Sequence, residues 1–443
     1  MKKVLIGLLV VIIIGFGVFA KYLIDRASIF TGFAAKNVAS GIFVAGRTQQ
    51  SIEALDINFF PVNLARTVVD YKNKTVTSDF FGFGKQIALF RPNLGCFLLG
   101  DMPVGDLPKQ ELIMPDFDEV SGFWPFGNIM RDTSLAFVNE EKLKTAMQKS
   151  LAQGNTRAIL VAYDTLLMWE TYGDGFNQST PILGWSMSKS ITNAMIGILI
   201  KQGKLKLDEP APIDEWKNDD RAKITLRQLL NMTSGLKWVE DYGDISEATI
   251  MLYEKGDIAK YAIQASLAFP VDSVWYYSSG TSNILSEIVK RQFSSLSEYW
   301  LFPHKSIFQR IGMQHTIMET DAAGLFVGSS YTYAPARDWA RFGLLYLQNG
   351  IWSKDTILDP SWVDFTKSEA PNSKGEYGAQ FWLNKSGIEL PDAPRDIYFA
   401  DGYQGQRIYI IPSKKLVVVR FGISKAGEFD YNQLVTSVIK AFE

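Results

Sequence analysis

Among its 443 residues the chain has one cysteine and two histidines. A lone Cys96 excludes an intrachain disulfide and says nothing about redox compartment. In "NLGCFLLG" it reads as a buried strand residue rather than a reactive thiol. His304 and His315 are too few and too isolated for the spacings that hold zinc, so neither a metal site nor a cofactor is expected. A Ser-His-Asp triad would have to draw on "FPHKS" or "GMQHT", both of which read as loops between helical segments. An excess of one charge is also missing. Lys and Arg number 45 against 47 Asp and Glu, and the two signs are well mixed. There is no basic stripe for a nucleic-acid partner and no charged tail. Internal repeats and low-complexity linkers are absent.

What remains is apolar: 47% hydrophobic and 13% aromatic residues, enough for one large or two ordinary cores. The longest apolar run is N-terminal. Lys2 and Lys3 precede Val4–Ala20, then come Lys21, Tyr22, Leu23 and Ile24, closed by Asp25 and Arg26. A helix over 4–24 would span about 30 Å, a bilayer core. The leading lysines put the N-terminus inside. Residues 1–26 are therefore expected to anchor the chain in the cytoplasmic membrane with the remainder outside, periplasmic or extracellular. The alternative is a signal peptide cleaved after "VFA" (18–20), releasing a secreted form. The run is long for a signal segment.

Residues 27–135 read as a β-rich extension: "GIFVAG", "ARTVVDY", "TVTSDFFGF", "QIALF" and "CFLLG" are short β-branched and aromatic runs between Gly, Asn and Pro. "NEEKLKTAMQKSLAQ" (139–153) has helical spacing, and "RAILVAYDTLLMWETYG" reads as two strands turning near Asp164. A helix is expected over 186–203. Helices and loops dominate from about 206 to 390, then two strands, "RIYII" and "KLVVVRFGI", and a last helix end the chain. This order predicts an α+β fold. One antiparallel sheet, built from about 136–205 and 391–443 and flanked by helices, would carry a mostly helical insertion.

Ser-x-x-Lys occurs three times, at Ser186/Lys189, Ser234/Lys237 and Ser437/Lys440, so chance accounts for most matches. Only Ser186 lies where an apolar approach, "PILGW", meets a helix start. Residues three apart share a helix face, and free N–H groups at a helix start favour an alkoxide-like nucleophile and a neutral lysine. A lysine shielded from water serves as a base. Two readings stand on this evidence: Ser186 as a nucleophile with Lys189 as its base, or Ser186 as a helix cap with a solvated Lys189.

Two further stretches carry a resemblance. "FPVDSVWYYSSGTSNILSEIV" (269–289) resembles the second motif of the serine β-lactamase and penicillin-binding-protein superfamily, in its class C and esterase-like branch, with Tyr277-Ser278-Ser279 as the Tyr-x-Asn/Ser element. "ADGYQGQRIYIIPSKKLVVVRFG" (400–422) resembles the third, with Tyr403-Gln404-Gly405 and then Gln406. "ITLRQLLNMTSGLKWVEDY" and "ARDWARFGLLYLQNGIW" look like framework segments of the same family. From about residue 140 onward the chain is similar to the β-lactamase-related serine hydrolases that include the 6-aminohexanoate-dimer hydrolases. Residues 35–120 look like their N-terminal extension.

The resemblance implies a β-lactamase/transpeptidase-like fold in which Ser186, Lys189 and Tyr277 are catalytic. The backbone N–H groups of Ser186 and Gln406 would form the oxyanion hole. Gly405 would let the strand approach the substrate, and Tyr242, Ser279 and Tyr403 would contact it. Ser279 stands where β-lactamases carry Asn, and Tyr403 where relatives carry His or Lys; both weigh against lactam turnover and against recognition of a substrate carboxylate. The expected activity is hydrolysis of small amides or esters through an acyl-enzyme by an exported serine hydrolase. The alternatives are a cell-wall D,D-peptidase-like or penicillin-binding protein, and a non-catalytic binding relative.

Overall fold

A computed structural model describes residues 2–115, 121–425 and 427–443. The first helix, α1 (Lys2–Asp25), has residues 2–19 exposed throughout, and it alone among the described helices is long and apolar enough to cross a membrane. At Arg26 the chain breaks into α2 (Ala27–Phe43), whose environment is the reverse: every residue from Phe30 to Gly41 is buried. Small residues (Gly32, Ala34, Ala35, Ala39, Ser40, Gly41) let neighbours approach on all sides; Gly32, for instance, lies against the backbone and Cβ of Tyr253. A four-stranded antiparallel sheet, β1 (Arg66–Asp70), β2 (Thr75–Phe80), β3 (Phe83–Arg91) and β4 (Gly95–Leu98), wraps α2 in sequential order.

The expectation of a β-rich stretch from residue 27 is thus corrected. Its first part is helical, and "GIFVAG" (41–46) holds the end of α2, not a strand. A helix that is apolar all round has no amphipathic period to read, and a short apolar run does not by itself distinguish strand from helix. Residues 116–120 of that stretch lie outside the described residues.

An ion pair at the centre of α2 ties it to the rest of the chain. Lys36 Nζ and the Glu319 carboxylate are both buried and in direct contact. The same carboxylate accepts from Ser40 Oγ at 2.8 Å and from the Cys96 backbone N–H in β4 at 2.6 Å. Cys96 is buried and forms no disulfide, and burial and then the Glu319 charge push its thiol pKa up.

The second sheet begins after α3 (Glu140–Leu151), which Asn139 caps through Lys142 N–H. It comprises β5 (Thr156–Tyr163) and β6 (Leu166–Tyr172) from the front of this region. After α4 (Ser188–Lys201), α5 (Ser279–Lys290) and α6 (Ala336–Leu347) come β7 (Trp382–Leu383), β8 (Tyr398–Gly402), β9 (Gln406–Ile411) and β10 (Leu416–Gly422). The spatial order is β7-β8-β9-β10-β5-β6, antiparallel throughout, with Leu416 opposite Tyr163 and Val419 opposite Leu160. Both ends of the region meet in one sheet, and the helical segments lie between them in sequence.

Side chains alternate across a strand. Along β5, Ile159 and Val161 face a core shared with Leu143 and Met147 of α3 and with Leu434 and Val438 of α7 (Tyr431–Ala441). Ala158, Leu160 and Ala162 face the larger core that holds Met195 of α4 and Phe342 of α6. This is the α+β fold that the element order predicts.

Removing one partner of a buried ion pair leaves the other charge uncompensated, at a cost of about 3–5 kcal/mol. Glu319→Ala is therefore expected to lower unfolding stability by that order in urea titration. A loss under about 1 kcal/mol would mean that α2 does not depend on this pair.

Candidate active site

Ser186 lies in a single 3-10 turn, Trp185–Met187, immediately before α4. It is not the cap of the helix: Met187 holds that position, with no side-chain cap bond. The residue before the serine is strained. Trp185 has φ +49, a left-handed conformation that costs a side chain with a Cβ. Its indole is clamped by Phe33 of α2 (stacked, centroids 5.8 Å apart), by Tyr403 (edge-on, 5.6 Å) and by Tyr331 (6.0 Å). Strain of this kind persists only where the surroundings over-determine it.

Lys189, one helical turn on, points to the same side as Ser186. Its Nζ lies 3.0 Å from each of three oxygens: Ser186 Oγ, Ser279 Oγ and the Ser329 carbonyl. The side chain is 2% exposed. Burial pushes its pKa down to about 8 from an ordinary 10.5, against the opposing charge of Glu240. As an ammonium it donates to all three; once deprotonated it keeps two N–H donors for Ser279 and Ser329 and turns its lone pair to the Ser186 hydroxyl. The readings of Ser186 as a cap and of Lys189 as solvated do not match the structure.

The second motif arrives from α5. Ser278 caps that helix by accepting from Thr281 N–H, which leaves Ser279 as its first residue with a free N–H. Glu240 takes that N–H at 2.8 Å. The same carboxylate accepts from Ser279 Oγ, from Trp238 Nε1 and from Tyr242 Oη at 2.7 Å, and Tyr242 Oη lies 3.1 Å from Ser279 Oγ. Glu240 is the residue that sequence reasoning missed. It belongs to no short motif, and the loop that carries it has no strand period to read.

Tyr277 precedes the cap. Its ring lies 4.7 Å from Lys189 Nζ and packs on Trp382 (5.4 Å) and Tyr377 (5.9 Å), and its hydroxyl interacts with Ser186. Burial, then Tyr377 and Glu240, push its pKa well above 10, outweighing the hydrogen bond with Ser186.

The third motif forms the turn between β8 and β9. Tyr403 stacks on Tyr242 (5.7 Å) and meets Trp185 edge-on. Gln406 opens β9 with its side-chain amide spent on Gly422 and Tyr403. Gly405 is also constrained from behind the turn. At φ +90, a Cβ there would strike Tyr431 Oη and Arg420 Nη1. Close approach to the serine turn falls to Gly402, where a Cβ would lie 2.1 Å from the Gly184 carbonyl. Neither other Ser-x-x-Lys pair converges: Lys237 and Lys440 are exposed. His304 is buried against Phe308, its pKa pushed down to about 4 by burial.

The sequence model of the Beta-lactamase family matches residues 146–432. The chain belongs to the beta-lactamase family. A 6-aminohexanoate-dimer hydrolase from Paenarthrobacter ureafaciens is 22% identical over 313 residues, 62% of this chain and 74% of that one. Among solved structures, a Bacillus anthracis protein assigned as a 6-aminohexanoate-dimer hydrolase superposes with a TM-score of 0.56 at 24% identity, covering 67% of this chain and 80% of that one. A penicillin-binding-protein homologue from Caulobacter crescentus reaches 0.54 at 14% identity, covering 70% and 97%. At such identities the structures speak for the fold. In this beta-lactamase-family chain α1, α2 and the β1–β4 sheet lie ahead of the matched residues.

A folded-state pKa of about 8 against 10.5 unfolded means that burial of Lys189 penalises the folded protein fully below pH 8. The penalty is released as pH rises through that window. Lys189→Met, which carries no charge, should therefore lose stability relative to wild type by about 1.4 kcal/mol per pH unit between 8 and 10.5. Denaturant midpoints of both proteins across that range test it; parallel curves would contradict the buried-amine reading.

Proposed function

We propose that this protein is an exported serine hydrolase that cleaves small amides or esters through an acyl-enzyme on Ser186. The observation that carries the reading is the 3.0 Å approach of a buried lysine amine, its pKa pushed down to about 8, to the Ser186 hydroxyl. Acid and base are separated by their surroundings: Lys189 loses its proton easily and Tyr277 holds its own. Lys189 takes the Ser186 proton as Oγ attacks the substrate carbonyl carbon. The backbone N–H groups of Ser186 and Gln406 receive the oxyanion. As the carbonyl re-forms, the bond to the leaving amine or alcohol breaks and Tyr277 supplies its proton. The proton on Lys189 then restores Tyr277. Water, deprotonated by the same groups, attacks the acyl carbon and frees Ser186. Glu240 holds the Ser279 hydroxyl so that its lone pair faces Lys189.

The substrate side is neutral and aromatic. Tyr242, Ser279 and Tyr403 are the proposed contacts, and none carries the cation that would pair with a substrate carboxylate. The homologue from Paenarthrobacter ureafaciens is an amide hydrolase by name, which supports linear amides alongside esters. For location, α1 is read as an anchor in the cytoplasmic membrane, with the catalytic part outside because Lys2 and Lys3 precede the apolar run.

Full-length protein in detergent should react with a fluorophosphonate at Ser186 alone, and Ser186→Ala should abolish labelling. Lys189→Ala and Tyr277→Phe should each lower kcat by about 10²-fold or more. Short-chain esters and linear amides should turn over faster than a penicillin. Labelling that persists in Ser186→Ala would refute the nucleophile. Efficient penicillin acylation with poor ester turnover would favour the cell-wall reading.

A further inference from the structure

We propose that an aromatic collar around the base of α1 seats the catalytic domain in the lipid–water interface of the bilayer that α1 crosses, a second membrane contact distinct from the anchor. This rests on the membrane reading of α1. Three segments far apart in sequence converge on the junction between α1 and α2.

The first is "NFFPVNLA" (58–65), apolar except for its two asparagines. Phe60 is 57% exposed, and its ring stacks on Phe19 of α1 with centroids 6.4 Å apart. Phe19 lies seven residues before Arg26, about 10 Å up the apolar helix at 1.5 Å per residue. A bilayer that covers α1 to its end therefore also meets Phe60 and its exposed neighbour Leu64.

The second is the tip of the β2–β3 hairpin. Phe80 pairs with Phe83 across a two-residue turn, Phe81-Gly82, in which both residues have positive φ (+49 and +85). Such turns favour Asn, Asp or Gly at the first position, where an aromatic side chain is strained. Phe81 is nonetheless 87% exposed, and Phe83 beside it is exposed as well. The hairpin is fixed to the start of α2: Phe80 meets Phe30 edge-on at 5.4 Å, and Thr31 Oγ1 donates to the Gly84 carbonyl. The aromatic tip is thus held beside the helix start that directly follows α1.

The third is Ile245, an exposed side chain next to Asp244, whose carboxylate binds Arg26 at the junction at 2.7 Å. Isolated exposed apolar residues are ordinary. A cluster continuous with an apolar span marks a lipid-facing surface. Polar groups suited to the headgroup level lie at the same height: Tyr22 stacks under Arg26 at 3.6 Å, and Lys21 pairs with Asp25. Lys85, exposed two residues from Phe83, adds a cation for lipid phosphates. Seating has a consequence for the site. Phe33, which stacks on Trp185, lies seven residues beyond Arg26, so the Ser186 turn is held about 10 Å along α2 from the membrane junction.

The single native cysteine is buried, so a nitroxide label enters only at an introduced one. Full-length Phe60→Cys, Phe81→Cys, Ile13→Cys and Ile388→Cys, reconstituted in vesicles of phosphatidylcholine and phosphatidylglycerol, would be compared by collision with oxygen and with a water-soluble nickel chelate. Positions 60 and 81 should favour oxygen at shallow depth, position 13 at greater depth, and position 388 should favour nickel. If 60 and 81 behave like 388 while 13 stays deep, the collar is refuted and the anchor stands. If all four favour nickel, the anchor reading fails and takes the collar with it. Spin–spin broadening at position 81 would assign this face to a second copy of the chain and overturn the proposal.

Discussion

The burial of one amine organises the site. Lys189 is 2% exposed in the first turn of α4, and among the described residues its environment offers three oxygens and no carboxylate in direct contact. An ammonium there is costly, since desolvation disfavours the charged form. Glu240 is near enough to act on Lys189 but is separated from it by the Ser279 hydroxyl. That separation matters. A carboxylate in contact would fix the lysine as a cation, whereas one hydroxyl away it orients the acceptor and offsets only part of the desolvation. Three elements distant in sequence meet here: the serine turn before α4, the start of α5, and the 238–242 loop.

The serine turn depends in turn on residues ahead of the family's matched region. Trp185 holds a left-handed backbone because Phe33, Tyr331 and Tyr403 enclose its ring. Phe33 comes from α2, which the Lys36–Glu319 pair and the β1–β4 sheet hold in place. The helix that follows the apolar α1 is therefore a wall of the candidate site. In the proposed function this makes anchoring and catalysis neighbours: the same helix begins at the junction with α1 and supports the nucleophile two turns later.

Much of this was legible in the sequence, for physical reasons. β5, β6, β9 and β10 are β-branched runs between turn residues, and α3 and α7 have a clear amphipathic period, so the sheet built from both ends of the region could be read. Ser186, Lys189, Tyr277 and Ser279 carry short patterns, and the structure brings them within reach of one another. α2 was not legible, because burial on all sides erases the period that marks a helix. β8, "YFADG", escaped because Asp and Gly interrupt its apolar pattern, although it supplies the close approach at Gly402. Glu240 escaped for another reason: its partners are a helix N–H, an indole and two hydroxyls that only the fold assembles.

The central claim is that burial brings the Lys189 ammonium within reach of deprotonation near physiological pH, with a midpoint near 8, and that the Glu240 charge holds that midpoint up. The direct measurement is an NMR titration of ¹⁵Nζ-labelled lysine in the full-length protein, with the Lys189 resonance assigned by its loss in Lys189→Met and followed again in Glu240→Gln. The account expects a midpoint near 8, moving lower when the Glu240 charge is removed, because that charge raises the lysine's pKa. A midpoint near 10.5, unchanged by Glu240→Gln, would contradict it.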